Sequence, residues 1–425
     1  MQLCAGTPFV IVSRMLLRAL AVTSLLAACT STADPPIDDP PIDPPPNDPP
    51  ITPISITIGD LQPGWRVTTS RLLDTVAPDE RTLVSDGSPI TLTGSNRDVF
   101  VATITDDTGA LVATHAMNAP CTLASPRRLD VPRDYASIQA AIDAADPGDT
   151  VWVAAGEYTE SVRLREGVCL LGSGAKRTIL DAHGQGRRLV DLSNAPGSVV
   201  SGFTIRNTAP RAGCVNEDPF TCSGDWYTAG VFLGTEGTLG WDNPTIKAPP
   251  MIINNVFESN YIGVMLNFHG IAVVRNNLFV ANRNGFVANH YQDRTLLANN
   301  VFIDNAELAI GNQAAYLDII DNIIVGSAVG IRFEYIQTGH IRCNVFYANG
   351  ANQADDYPAV PPRFTIGTDG NVELDPKFVG NGDYHLDAAS PAKGAGCHGD
   401  KAMQFDGSLP DIGAYGGPLA AWAEL

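Results

Sequence analysis

The 425-residue chain is 44% hydrophobic and only 17% charged, which excludes a disordered or coiled-coil polymer and leaves apolar material for real cores. Forty Gly and 31 Pro favour many short strands joined by turns over long helices. The formal charge is −19, or −21 without residues 1–28, which hold two Arg and no acid; that surface repels nucleic acid and anionic bilayers and disfavours binding driven by phosphate contacts.

Residues 1–28 read as an export signal: Arg14 and Arg18 supply positive charge, an apolar run follows, and small residues precede Cys29. No later apolar run reaches the ~18 residues of a membrane-spanning helix. Met15 is an alternative start. Leu26-Ala27-Ala28-Cys29 resembles the bacterial lipobox, which implies lipidation at Cys29, with a plain secretory signal as the alternative. The expected location is the cell envelope outside the cytoplasm, at the outer membrane, touching the bilayer through the lipid alone. Residues 29–53 then form a linker. Ten prolines fall in Pro35–Pro53, with Asp34 just before them and Asp38, Asp39, Asp43 and Asp48 among them. Repeated Pro and like charge stretch such a tether to roughly 50–60 Å.

Six cysteines follow Cys29, and an oxidising compartment permits disulfides. Cys214 and Cys222 flank a short segment of a surface insertion and are expected to pair. No Cys-x-x-Cys occurs, which weakens a zinc or redox reading.

Residues 54–120 alternate apolar and polar side chains, as in Ile54-Ser-Ile-Thr-Ile58 and Val99-Phe-Val-Ala-Thr-Ile-Thr105, with a turn at Asp106-Asp-Thr-Gly109. They predict a small β-sandwich module with a spacer or adhesive role. From Arg128 a second part begins. Asp134 is the expected cap of a short helix whose stripe is Ile138, Ala141, Ile142 and Ala145. Short strands separated by Gly-rich turns come next, as in a solenoid whose open end the helix covers.

Repeats decide the architecture. Asn255-Val-Phe257 recurs as Asn277-Leu-Phe279, Asn300-Val-Phe302, Asn322-Ile-Ile324 and Asn344-Val-Phe346, at spacings of 22, 23, 22 and 22 residues. A second polar column is Asn260, Asn282, Asn305, Ser327 and Asn349, and an apolar column is Ile252, Val274, Leu297, Ile319 and Ile341. The Gly202–Asn207 segment fits one coil earlier. A second strand per unit puts Val264, Phe286, Ile310 and Ile331 inward. Strand period two then turns Asn267, Asn289, Gln313 and Glu334 outward. Each unit is one coil, and like side chains stack along the axis. The inner Asn columns read first as turn-stabilising ladders and second as a ligand site.

This periodicity resembles the right-handed parallel β-helix of the pectate-lyase-like superfamily, across roughly 128–415 and with the domain taken as 128–425. The opening Val131–Tyr158 segment is similar to that of extracellular members. The closing Asp375-Pro-Lys-Phe-Val379, Ser390-Pro-Ala392 and Asp411–Gly417 runs are similar to those of bacterial surface β-helix proteins. The resemblance implies an all-β solenoid and an acidic-polysaccharide chemistry. The pectate-lyase Trp-Ile-Asp-His and Arg-x-Pro-x-x-Arg runs, the epimerase Asp-Pro-His-Asp and the pectin-methylesterase signature are absent. Polygalacturonase motifs have only loose echoes in Phe268-His269-Gly270 and Gly339-His340-Ile341-Arg342.

Elimination needs a base plus a cation on the uronate, whereas hydrolysis needs two carboxyl groups. Arg332, Arg294, His290 and Glu334 are the candidate catalytic residues: Arg294 or Arg332 as base or carboxylate anchor, and His290 as alternative base. Asn267, His269, Asn289 and Tyr291 are candidate substrate contacts, with Trp226 and Trp241 of the 208–250 insertion as sugar platforms. Glu334 shows no second carboxylate in register, which favours elimination over hydrolysis. No dedicated metal site is expected. Ca2+ stays open through Glu217, Asp218, Asp225, Glu236 or Asp242, whose spacing matches no known loop. The expected protein is a monomeric surface lipoprotein that recognises polysaccharide and, if an enzyme, acts as a lyase. The rival is a non-catalytic structural or adhesive rod.

Overall fold

The computed structural model describes residues 53–58, 61–72, 81–95, 99–105, 107, 111–117, 121–123, 127–210, 228–234, 249–267, 270–334, 339–356, 362–396 and 411–416. Cys29, the linker, Cys214 and Cys222 lie outside them. No helix among the described residues is long and apolar enough to cross a membrane.

The stretch expected as a β-sandwich forms two sheets. Pro53–Ile58 pairs antiparallel with Ile90–Ser95 and parallel with Cys121–Leu123. The second sheet is antiparallel, in the order Arg81–Val84, Arg66–Leu72, Val99–Thr105, Leu111–Met117. Ile58, Val67 and Ile104 are buried, as the alternation requires.

From Arg128 onward the chain is a right-handed parallel β-helix with three faces per coil. One face is a nine-stranded sheet running from Gly156–Tyr158 through Val256–Glu258 and Leu278–Val280 to Val372–Glu373. The other two merge into one fifteen-stranded sheet, because Asn284–Ala298 and Leu308–Ile320 run unbroken around the corner between them. The face that contains Ile262–Asn267 is called the first face here. Its strands include Val190–Asp191, Val231–Gly234, Ile262–Asn267, the first halves of the two long strands, Val329–Phe333 and Ala351–Asp355.

The repeat columns become vertical files. Phe257 pairs with Phe279, Phe279 with Phe302, Phe302 with Ile324 and Ile324 with Phe346. Ring centroids are 4.8 Å apart for Phe257–Phe279 and 4.5 Å for Phe279–Phe302, both stacked. Such spacing equals the distance between adjacent strands, so parallel register itself forces the rings face to face. Ile252, Val274, Leu297, Ile319 and Ile341 form a second buried file.

Both ends of this core are closed. The helix α1, Ile138–Ala144, packs Ile138, Ala141 and Ile142 into the first coils. Its cap is Ser137, not Asp134. Ser137 has extended backbone and its Oγ accepts from Ala140 N at 3.2 Å, while Glu160 accepts from Ile138 N and Gln139 N at 2.9 and 3.1 Å. Asp134 sits one turn too early and bonds Asp130 N instead. At the far end Phe364 stacks on Phe346 at 5.0 Å.

The inner Asn columns are structural. Asn255, Asn277, Asn300, Asn322, Asn344 and Asn371 are all buried, and each Nδ2 donates to the Oδ1 of the next at 3.0–3.3 Å. From Asn277 on, every Oδ1 also accepts the preceding Asn N–H, Asn255 Oδ1 accepts from Phe203 N, and each Nδ2 of the first five reaches a carbonyl of the coil below. The residue just before each of the first five, Asn254, Asn276, Asn299, Asp321 or Cys343, turns the corner at φ 52–56°. Asn and Asp tolerate that left-handed conformation best. Asn371 was invisible to periodicity, because the step from Asn344 is 27 residues.

The 208–250 segment is a correction. It does not interrupt the coils: Val231–Gly234 lies inside it and pairs with Val190–Asp191 below and Val264–Asn267 above. Val231–Gly234 is thus one rung of the first face. Its spacing hid the strand, since no 22-residue step links it to the repeat columns.

Candidate functional site

On the first face, strand alternation sends Val264, Leu266, Phe286, Ala288 and Ile310 into the solenoid core. Met265 and Val287 therefore point outward, yet both are fully buried, in an outer apolar cluster with Phe232, Tyr261 and Leu308. Asn267, Asn289 and Gln313 also point outward and pair in register, Asn267 with Asn289 and Asn289 with Gln313. Their expected solvation is corrected: they are 5%, 0% and 5% exposed. Strand period gives direction, but only packing decides whether water reaches that side.

This outer ladder differs from the inner ones in its bonding. Asn267 Oδ1 and Gln313 Oε1 are buried without a hydrogen-bond partner. No atom of Asn255, Asn277, Asn300, Asn322 or Asn344 is in that condition.

Further along the ladder Glu334 N donates to Asn312 O, and Asp356 N donates to Phe333 O. Phe333 pairs with Asp355, so Glu334 and Asp356 occupy successive rungs. Glu334 therefore does have a second carboxylate in register, contrary to the sequence-based expectation. Arg332, whose side chain is 26% exposed, holds Asp356 through Nη2 at 2.8 Å and Nε at 3.2 Å. Asp355 is held by Arg363 at 2.9 Å. Asp355, Asp356 and Arg363 were missed as parts of this group because the repeat columns end at Asn349 and leave the last rung without a register. The acidic pair Asp355-Asp356 was the available signal.

Of the other expected residues, His290, Tyr291 and Arg294 lie on the strand Asn284–Ala298, where two register shifts fall between Asn289 and Gln292 and between Gln292 and Thr295. Such bulges re-aim side chains at a strand end. Their side chains are outside the described residues, as are His269, Trp226 and Trp241. The acids named for Ca2+, Glu217, Asp218, Asp225, Glu236 and Asp242, lie outside them too.

A separate polar group sits on the nine-stranded sheet. Glu157, Asp181 and His183 bring one ligand atom each to within 4.8 Å of one another. Arg206 also enters, at 2.6 Å from Asp181 and 3.1 Å from Glu157. Asp181 further accepts from His183 N at 2.7 Å and from Asn207 Nδ2 at 2.9–3.0 Å. Burial raises its carboxyl, but these bonds outweigh that and hold it below the ordinary value.

Against known proteins, the profile of the family described as periplasmic copper-binding protein (NosD) matches residues 174–360. No curated protein matches the chain. Among solved structures the chain is similar to a mutant of the PL6 family alginate lyase AlyGC, at 14% identity and TM-score 0.33, covering 59% of this chain and 40% of that one. It thus spans 40% of the length of that lyase. It is also similar to pectin methylesterase PemA from Erwinia chrysanthemi, at 10% identity and TM-score 0.23, covering 59% and 94%. A third is the mannuronan C-5 epimerase AlgE4 A-module of Azotobacter vinelandii, at 16% identity and TM-score 0.16, covering 57% and 87%.

Proposed function

We propose that this chain is an extracytoplasmic β-helix that recognises polysaccharide along its first face. The carrying observation is the outer ladder, a polar file of Asn267, Asn289, Gln313, Glu334 and Asp356 on successive rungs of one face. Two of its amides, Asn267 and Gln313, keep buried carbonyls without partners, whereas the inner Asn ladder leaves none open. Leaving each such group open costs about 1–3 kcal/mol. The sequence after Val231–Gly234 carries Trp241, that after Ile262–Asn267 carries His269, and the part of Asn284–Ala298 beyond Asn289 carries His290, Tyr291 and Arg294, side chains suited to sugars.

The location rests on the export signal, on the periplasmic description of the matching family and on Cys343, which is disulfide-bonded. Lipidation at Cys29, an outer-membrane anchor, the Pro/Asp tether, a spacer role for residues 54–120 and a monomeric state complete the proposal.

Cleavage is the more demanding reading. Arg332 is already shared with Asp356, so β-elimination would draw its base from His290 or Arg294. The copper of the matching family finds a poor fit in the Glu157–Asp181–His183 group. Arg206 places a guanidinium where a cation would sit, and the oxygens of Asp181 already accept from three nitrogens, Arg206 Nε, His183 N and Asn207 Nδ2. A single His with two carboxylates also lacks the soft donors that favour copper.

The deciding experiment incubates the mature protein with neutral, uronate and sulfated glycans, reading retention, unsaturated ends by ultraviolet absorbance, and reducing ends. Retention of at least one class, weakened by Asn267→Ala, is expected. Loss of retention across the whole panel would return the chain to the structural or adhesive rod.

A further inference from the structure

We infer that the closing runs Asp383–Leu386 and 411–416 build a site for a single sugar ring on the nine-stranded sheet, separate from the first face. Val301 and Ile323 are paired, outward side chains of that sheet, each 1% exposed. Together with the two closing runs they line a half-open cavity of about 130 Å³. A cavity of about 150 Å³ holds benzene, so this volume suits one six-membered ring and not a chain of them.

The lining decides which ring. Val301 and Ile323 give an aliphatic floor, which matches the C–H face of a pyranose. Tyr384 and Tyr415 add aromatic surface, and His385 stacks on Tyr415 with ring centroids 3.6 Å apart. Lys393 and Asp411 bring one charge of each sign to the same cavity. A plain hydrocarbon ring would leave both charges unused. A ring edged with hydroxyls donates to Asp411 and accepts from Lys393, because each hydroxyl does both. Burial raises the Tyr384 and Tyr415 hydroxyls, Tyr415 to about 12, so both stay protonated donors at neutral pH. A gap left by imperfect packing is apolar, whereas an apolar floor with a few convergent polar groups is the pattern of a ligand site. The ring arrives either as a free monosaccharide or as the end of a longer glycan.

The test is saturation-transfer NMR on the mature full chain with glucose, mannose, galactose, their methyl glycosides and trisaccharides, and with phenol as a ring that is not a sugar. At least one sugar is expected to bind with a Kd of about 1 mM, as suits so small a ligand. Lys393→Met and Asp411→Asn should each weaken it about tenfold. Lys393 is exposed, so its variant probes the site without disturbing the core. Transfer to the terminal ring of a trisaccharide supports the site and names the chain end as its source. Transfer to monosaccharides alone supports it and names the free sugar. No transfer to any sugar at about 50 mM, binding of phenol alone, or sugar binding undiminished in Lys393→Met overturns the inference. Polysaccharide retention is read on another face, so its loss would remove the first-face reading and leave this site standing.

Discussion

At the scale of single residues, the inner and outer amides show how one residue type serves two ends. Asn300 donates to Val274 O and Asn322 Oδ1 and accepts from Asn277 N, all at 2.9–3.1 Å. Asn300→Ala would leave buried backbone groups on two coils without partners, and a loss of roughly 2–4 kcal/mol is expected in urea unfolding. Asp181 offers a pH test. Its folded pKa is lowered from 3.8, so its stabilisation is present above that value and is lost as pH falls through the lower folded one. Melting curves between about pH 5 and pH 2 should therefore flatten in Asp181→Asn relative to wild type. Arg275 is the opposite case. It is fully buried, its Nη2 donates to Asn299 Oδ1 at 2.8 Å, and burial lowers its pKa to about 10.

Among elements, the Phe file carries the packing. Phe279 lies between Phe257 and Phe302 with no exposed surface. Phe279→Ala should cost about 3–5 kcal/mol, and Phe279→Leu clearly less, because the cavity term shrinks with the volume removed. The helix α1 is too short to persist alone and stands on its caps and its buried stripe. Ser137→Ala removes the acceptor for Ala140 N and should lower stability by about 1 kcal/mol, read as an earlier loss of amide protection at Ile138–Ala144 than in the coils.

On the scale of the whole molecule, the closing segment acts as a strap across three coils. Asn276 Nδ2 donates to Ala414 O and Gly416 O at 3.0 and 2.8 Å. Asn299 Nδ2 donates to Asp411 O at 3.2 Å, and Gly413 N donates to Asp321 O at 2.9 Å. Ile412 and Ala414 cover the outward Leu278, Val301, Ile323 and Val345. Gly413 has φ 99°, and a Cβ there would stand 2.7 Å from Ile323 Cδ1. Gly413→Val should lower stability by roughly 2–4 kcal/mol and expose the Asn276 and Asn299 side-chain amides and the backbone N–H at position 413 to hydrogen exchange.

What the sequence determined alone was everything governed by a local period. The Phe and Ile files and the inner ladders follow from side chains repeating at one coil length, since parallel register stacks like on like, and the capping helix follows from the helical spacing of Ile138, Ala141 and Ile142. What only the tertiary structure decided was everything dependent on a neighbour of irregular spacing. The Val231–Gly234 rung, the entry of Asn371 into the ladder, the place of Asp356 beside Glu334 and the shielding of Asn267 and Gln313 are of that kind. Periodicity says which way a side chain points; what meets it there depends on segments that keep no period.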